Sequence, residues 1–163
     1  GFVQRWCEVY PELFYGSRGT CNGSGDNKKS NLSTYALMYL LKRNEGFESL
    51  TYFRLAAQGK SPDGRREALQ EYLREFMGTH SFEALRKAIQ GKGFKGFKGE
   101  PDLFCWRPED REWFFAEAKG DDRLTDTQRL WFAVCRETLP GVIIKVCRVK
   151  AMARCGTCGL TSA

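Results

Sequence analysis

The spacing of the apolar residues changes once along this chain, near residue 90, and that change sets what the chain can fold into. Before it, apolar side chains recur three and four residues apart, the repeat of a helix. After it they fall into short runs separated by turn residues, the mark of strands. Leu32, Tyr35, Ala36, Tyr39 and Leu40 follow helical spacing to about Arg43, with Ser30 or Asn31 available as the cap. Gly59-Lys60-Ser61-Pro62-Asp63-Gly64 interrupts the pattern. Ala68, Leu69, Tyr72, Leu73 and Phe76 then form a second stripe, ended by Gly78, and Ser81 is expected to cap a short helix through about Gln90. Farther upstream, residues 2–10 are amphipathic and stop before Pro11, while residues 16–31, rich in Gly, Ser and Asn, read as an exposed loop.

Gly91 to Gly99 alternates Gly with Lys and Phe, and no regular helix tolerates that much glycine. Pro101-Asp102 opens an apolar run through Trp106, Arg107-Pro108-Glu109-Asp110 makes a turn, and Glu112 to Lys119 is a second strand, so the pair is expected to form a hairpin. Gly120 to Leu124 is a polar loop. Thr125 to Thr138 reads as a helix with Leu130, Trp131, Val134 and Cys135 turned to the core. After Pro140-Gly141, the almost wholly apolar run Val142 to Val149 is expected to be a central strand. Helices followed by β-β-α-β predict an α/β fold, a small mixed sheet flanked by helices. A single domain over residues 1–150 is expected, helical over about 1–90 and ββαβ over about 100–150, with 151–163 as a flexible tail. The 163 residues suffice for one such core, in which Trp106, Trp113 and Trp131 are expected to sit.

The formal charge of +6 favours anionic partners, nucleic acid first and acidic membrane surfaces second. No apolar run approaches the roughly 20 residues needed to span a bilayer, so no membrane partner is expected. Seven cysteines, an odd count without a leader peptide, argue for reduced thiols in an intracellular compartment. Cys105 and Cys135 read as small core residues. Cys147, Cys155 and Cys158 end in a CxxC pair, half of a zinc site whose fourth ligand would have to be Cys7 or Cys21. The alternative is a thiol-containing tail without metal.

The chemistry concentrates in Phe115-Ala116-Glu117-Ala118-Lys119. Side chains alternate across a strand, so Glu117 and Lys119 share one face with Phe115, and Phe114, Ala116 and Ala118 take the other. A lone pair of this kind is an ordinary salt bridge at a strand end. Here the hairpin also brings Asp102 beside the end of the second strand, so Asp102 and Glu117 converge with Lys119 alongside. Two hard oxygen ligands completed by water are how Mg²⁺ is commonly held. A divalent cation there would polarise a phosphoryl oxygen and acidify a bound water, and Lys119 would orient that water or neutralise developing charge. With His80 as the sole histidine, no Ser-His or Cys-His arrangement competes.

The string Gly99-Glu100-Pro101-Asp102-Leu103-Phe104, then Glu117-Ala118-Lys119-Gly120, Asp122-Arg123-Leu124, and Gln128 followed by Trp131, resembles the VRR-NUC branch of the PD-(D/E)xK nuclease superfamily over roughly residues 82–149. Within it the pattern is most similar to the Fanconi anaemia-associated nuclease domains and their bacterial relatives. The resemblance implies a restriction-endonuclease-like core and Mg²⁺- or Mn²⁺-dependent hydrolysis of DNA, with branched or flapped repair intermediates as substrates. It implies Asp102, Glu117 and the carbonyl of Ala118 as metal ligands, Lys119 as the catalytic lysine and Gln128 as a catalytic-site residue. The family adds an upstream helix glutamate, for which Glu67, Glu8 and Glu48 are candidates. A mobile-element or defence nuclease would carry the same residues. A non-catalytic nucleic-acid-binding module and a zinc-binding interaction domain are the readings from other classes. Leading into Asp102, Lys92, Lys95 and Lys98 are expected to contact phosphates, and the intervening phenylalanines either stack on bases or tuck into the core.

Overall fold

The computed structural model describes residues 32–59, 61–62, 64–120 and 122–149. The expected helix over 2–10, the loop over 16–31 and the tail over 151–163, with Cys7, Cys21, Cys155 and Cys158, lie outside the described residues. The elements run α1 (Leu32–Glu45), β1 (Glu48–Leu50), α2 (Arg65–Met77), α3 (Thr79–Gly91), β2 (Leu103–Trp106), β3 (Trp113–Lys119), α4 (Asp126–Thr138) and β4 (Ile144–Arg148). The sheet order is β1-β2-β3-β4. β1 and β3 pair antiparallel with β2, and β4 pairs parallel with β3, so the sheet is mixed.

The expected hairpin forms, with Leu103 opposite Ala116 and Trp106 opposite Trp113. Arg107 fastens its turn through Asp110, Glu112 and the Glu45 carbonyl. Alternation along β3 divides the core in two. Phe115 lies with Phe104, Phe53 and Trp131 under α2, α3 and α4, whereas Phe114, Ala116 and Ala118 lie with Leu37, Leu41 and Phe47 under α1. Each aromatic in these layers is worth about 3–5 kcal/mol against truncation to Ala.

Several expectations need correction. The helical first half contains β1, a strand of three residues, too short to show an alternating pattern. Gly46, in the left-handed conformation (φ 74°), ends α1 by donating its N–H to the Lys42 carbonyl, and so turns the chain into β1. β4 is an edge strand of the described sheet rather than a central one. Ile144 on one face and Cys147 on the other pack on helix-backed layers, so an edge strand acquires the apolar sequence of a central one. Val146 between them is half-exposed. In α1 the buried residues are Thr34, Tyr35, Leu37 and Leu41, not Leu40; in α2 they are Gln70, Leu73 and Met77, while Ala68 and Tyr72 are exposed. In α4 Phe132 is buried and Leu130 faces water. α3 begins at Thr79, two residues ahead of Ser81. Gly78 (φ 82°) ends α2 and starts α3, leaving no room for a side-chain cap. Trp131 is fully in the core, and Trp106 and Trp113 pack against its edge.

Candidate active site

β3 carries Glu117 and Lys119 on one face, and the hairpin lays Asp102 against them. The Asp102 N–H donates to Glu117 Oε2 at 3.2 Å, and the Ala118 N–H donates to Asp102 Oδ2 at 2.9 Å. Lys119 Nζ lies 2.9 Å from both Glu117 Oε1 and Asp122 Oδ2. Asp122 is itself held by the Gly120 N–H on Oδ1. The expected set of Asp102, Glu117 and Lys119 is therefore brought together, with Asp122 added as the second acceptor for the lysine.

Gln128 reaches the same cluster from α4. Its side-chain oxygen accepts the Thr125 N–H while the Thr125 hydroxyl accepts the Gln128 N–H, a reciprocal box that starts the helix. The other end of the same carboxamide, Nε2, donates to Glu117 Oε1 at 2.5 Å. One side chain thus fixes both the first turn of α4 and the rotamer of Glu117.

Burial pushes the Asp102 carboxyl above the ordinary carboxylate range, and the Ala118 N–H and the Lys119 charge pull it only part of the way back. Glu117 is raised by burial and then by the neighbouring Asp102 charge, against the hydrogen bond from Lys119. Burial works against the Lys119 ammonium, but hydrogen bonds to Asp122 and Glu117 outweigh it and the net shift is upward. A single ammonium shared with Asp122 leaves the Asp102–Glu117 pair short of positive charge, and a divalent cation on the two carboxylates would supply it.

The backbone offers a third oxygen. The β2–β3 pairing ends at Leu103 opposite Ala116, and the residue two places before Leu103 is Pro101. The Ala118 N–H turns to Asp102 Oδ2, and proline has no N–H to give the Ala118 carbonyl. Hard oxygens from Asp102, Glu117 and Ala118 fit Mg²⁺ or Mn²⁺ completed by water. Among the described residues no group of three His, Cys, Asp or Glu side chains assembles into a metal-binding cluster. Glu67 sits in the first turn of α2, where Ser61 binds both its carboxylate oxygens and, with Arg66 assisting, holds its pKa down at about 2. Glu48 pairs with Lys42 and lies opposite Trp106, four residues along β2 from Asp102, or about 13 Å at the rise of a strand. Glu8 lies outside the described residues.

The run from Gly91 to Gly99 divides its phenylalanines. Phe94 is buried in the core and Phe97 is exposed, as are Lys92, Lys95 and Lys98. Sequence reasoning gave no role to Glu100, whose side chain is almost wholly buried two residues before Asp102. It accepts the N–H groups of Arg54 (2.8 Å) and Leu55 (2.6 Å), tying the segment after β1 to the entry of β2. Burial pushes its pKa up to about 8 despite those bonds. Its only signal was position, an acid between Gly99 and Pro101.

A mixed sheet with a buried and a half-buried carboxylate and a lysine at the end of its central hairpin defines a nuclease-like module on a restriction-endonuclease-like α/β fold. The VRR-NUC domain model matches residues 50–151, which extends the likeness upstream from residue 82 to the end of β1. The chain belongs to the VRR-NUC domain family. No curated protein and no solved structure matches it significantly. Among the described residues no helix is long and apolar enough to cross a membrane.

Proposed function

We propose that this chain hydrolyses phosphodiester bonds in DNA with Mg²⁺ or Mn²⁺ held by Asp102, Glu117 and the Ala118 carbonyl, and that branched or flapped DNA is its substrate class. The observation that carries this reading is the side-by-side placement of half-buried Asp102 and buried Glu117, each disfavoured as an anion, with Lys119 in contact. The bound cation would supply Lewis acidity toward the phosphoryl group. Lys119, held by Glu117 and Asp122, points a fixed ammonium at the same place, where it neutralises charge that develops on the phosphoryl oxygens. Gln128 keeps Glu117 from rotating away. Asp102, Asp122 and Gln128 are each partly or fully exposed, so a phosphate reaches the cluster from their side. Lys92, Lys95 and Lys98 would hold the flanking backbone, since the run that bears them leads straight into Asp102.

Labelled linear, flap and four-way-junction DNAs, incubated with Mg²⁺, Mn²⁺ or EDTA, test this. Cleavage is expected only with the cation and is expected to vanish in Asp102→Ala and Glu117→Ala proteins that keep wild-type circular dichroism. A folded Asp102→Ala protein that cut at the wild-type rate would remove the assignment. Equal rates on all three DNAs would remove the branched class.

A further inference from the structure

The segment after β1 has an unusual backbone. Tyr52 (φ 56°) and Arg54 (φ 49°) both lie in the left-handed region without being glycine, a strain of about 1–3 kcal/mol each that persists only where the surroundings impose it. Phe53 and Leu55 are fully buried between and beyond them. Gln70 Nε2 donates to the carbonyls of Phe53 and Arg54, both at 3.1 Å, and Glu100 accepts the N–H groups of Arg54 and Leu55. The result is a pinned loop that buries its alternate residues and turns Tyr52 and Arg54 outward, where both are exposed.

Arg54 meets Phe97 there. Its guanidinium carbon lies 5.7 Å from the Phe97 ring centroid, and 57% of Phe97 remains exposed. Glu100 makes this encounter, since its side chain holds the Arg54 N–H and its own N–H donates to the Phe97 carbonyl at 3.2 Å. Glu100, which holds the Arg54 and Leu55 N–H groups, stands two residues before Asp102. The pair therefore stands at the catalytic end of the sheet. Among the described residues Arg54 makes no ion pair, and neither do Lys92, Lys95 and Lys98. An exposed aromatic face under an exposed guanidinium, with lysines on the same run, matches the needs of a nucleotide. The ring takes a base and the cations take its phosphates.

We propose that Phe97 and Arg54 form a stacking site for one unpaired base of the strand that enters the active site. A base within a duplex already has both faces covered, so the site selects single-stranded or frayed DNA next to the cut. The inference rests on the proposed nuclease reading for its choice of DNA, but binding alone reads it.

The test uses the whole chain in EDTA, with a fluorescent single-stranded DNA and a blunt duplex of the same sequence, and a second single strand carrying 2-aminopurine. Phe97→Ala removes an exposed ring, and Arg54→Gly removes the cation while suiting the left-handed backbone, so both variants are expected to melt no lower than wild type. Each is expected to weaken single-strand binding about tenfold, within the range for losing one base–aromatic stack. Duplex affinity stays at the wild-type value, and Phe97→Ala abolishes the quenching of 2-aminopurine seen with wild type. Equal losses on both DNAs, a loss with Arg54→Gly alone, unchanged quenching in Phe97→Ala, or no binding of single strands would overturn the proposal. A chain that binds and quenches but never cleaves refutes the nuclease reading and leaves the stacking site standing. Cation-dependent cleavage with unaltered single-strand binding in Phe97→Ala does the reverse.

Discussion

The Cβ that Gly99 lacks would stand 2.7 Å from the carbonyl oxygen of Thr127, on the first turn of α4. Gly99 is also left-handed, at φ +77°. The chain entering Asp102 thus lies flat against the helix that carries Gln128, and only glycine permits the approach. Gly99→Ala is expected to cost roughly 2–5 kcal/mol, combining left-handed strain with overpacking against backbone. Gly96 is the control: its φ is +64°, but a Cβ there meets nothing within 4 Å. Gly96→Ala should cost only the strain, on the order of 1 kcal/mol. Urea unfolding of both variants checks this, and equal losses would mean that Thr127 is not the reason for Gly99.

Asp102→Asn is expected to stabilise the metal-free protein as pH rises and to abolish its response to divalent cations. Asp102 and Glu117 both titrate above their ordinary values. The folded state therefore holds their protons more tightly than the unfolded chain does. The stability this provides is complete below the ordinary carboxylate range of about 4 and is lost as pH climbs through the raised values. Glu100, pushed up to about 8, contributes in the same direction up to neutral pH and remains in the variant. The difference between wild type and Asp102→Asn in EDTA isolates the pair, with wild type losing more over the upward pH scan. Mn²⁺ favours the ionised pair, so it should raise the melting temperature of wild type more at higher pH and leave Asp102→Asn unmoved. A cation-induced gain of the same size in the variant would place the metal elsewhere.

The part of the site legible in the sequence was the part written in local spacing. Two residues along a strand fixed Glu117 and Lys119 on one face, and a short turn brought Asp102 to them, because hairpin geometry leaves little freedom. Gln128 was legible through the family pattern, but its two-ended use required α4 to be docked on β3. What stayed hidden depends on contacts between distant segments. Glu100 reaches residues 46 and 45 positions away, and no local pattern announces a carboxylate buried on backbone N–H groups. The left-handed Arg54 is likewise imposed from outside, by Gln70 and Glu100, on a residue whose own preference opposes it. The edge position of β4 was hidden for the opposite reason. Helices on both faces gave it the composition of a central strand, and neighbour order in a sheet is not encoded in any one strand.

Lys119→Met is expected to keep the fold and most of the DNA affinity while lowering the cleavage rate about 10²–10³-fold, the scale for removing one preorganised transition-state donor. Methionine retains the buried stem of the side chain, which matters because Lys119 is only 7% exposed. Asp122→Ala leaves Glu117 as the lysine's acceptor and should reduce kcat by less, without raising KM. Single-turnover rates with saturating DNA separate the two effects. Lost stability with full activity per folded molecule would make Lys119 a structural residue instead.

Neutralising Lys92, Lys95 and Lys98 together is expected to weaken DNA binding regardless of sequence and to flatten its salt dependence. All three are exposed, and none forms an ion pair among the described residues, so none has a partner whose loss would disturb the fold. Each phosphate contact releases a condensed counterion, and the slope of log K against log salt should fall in magnitude by about 0.7–0.9 per contact removed. Asp102, Glu117 and Lys119 are untouched, so saturating DNA should restore much of the cleavage rate. This separates the lysines from the Phe97–Arg54 pair, whose single-strand preference should survive the triple substitution at every salt concentration. A titration of wild type and the triple Lys→Ala variant across salt decides it. Parallel lines would mean that these lysines do not touch the backbone, and the run from Gly91 to Gly99 would then serve to carry Phe97 and to bring the chain into Asp102.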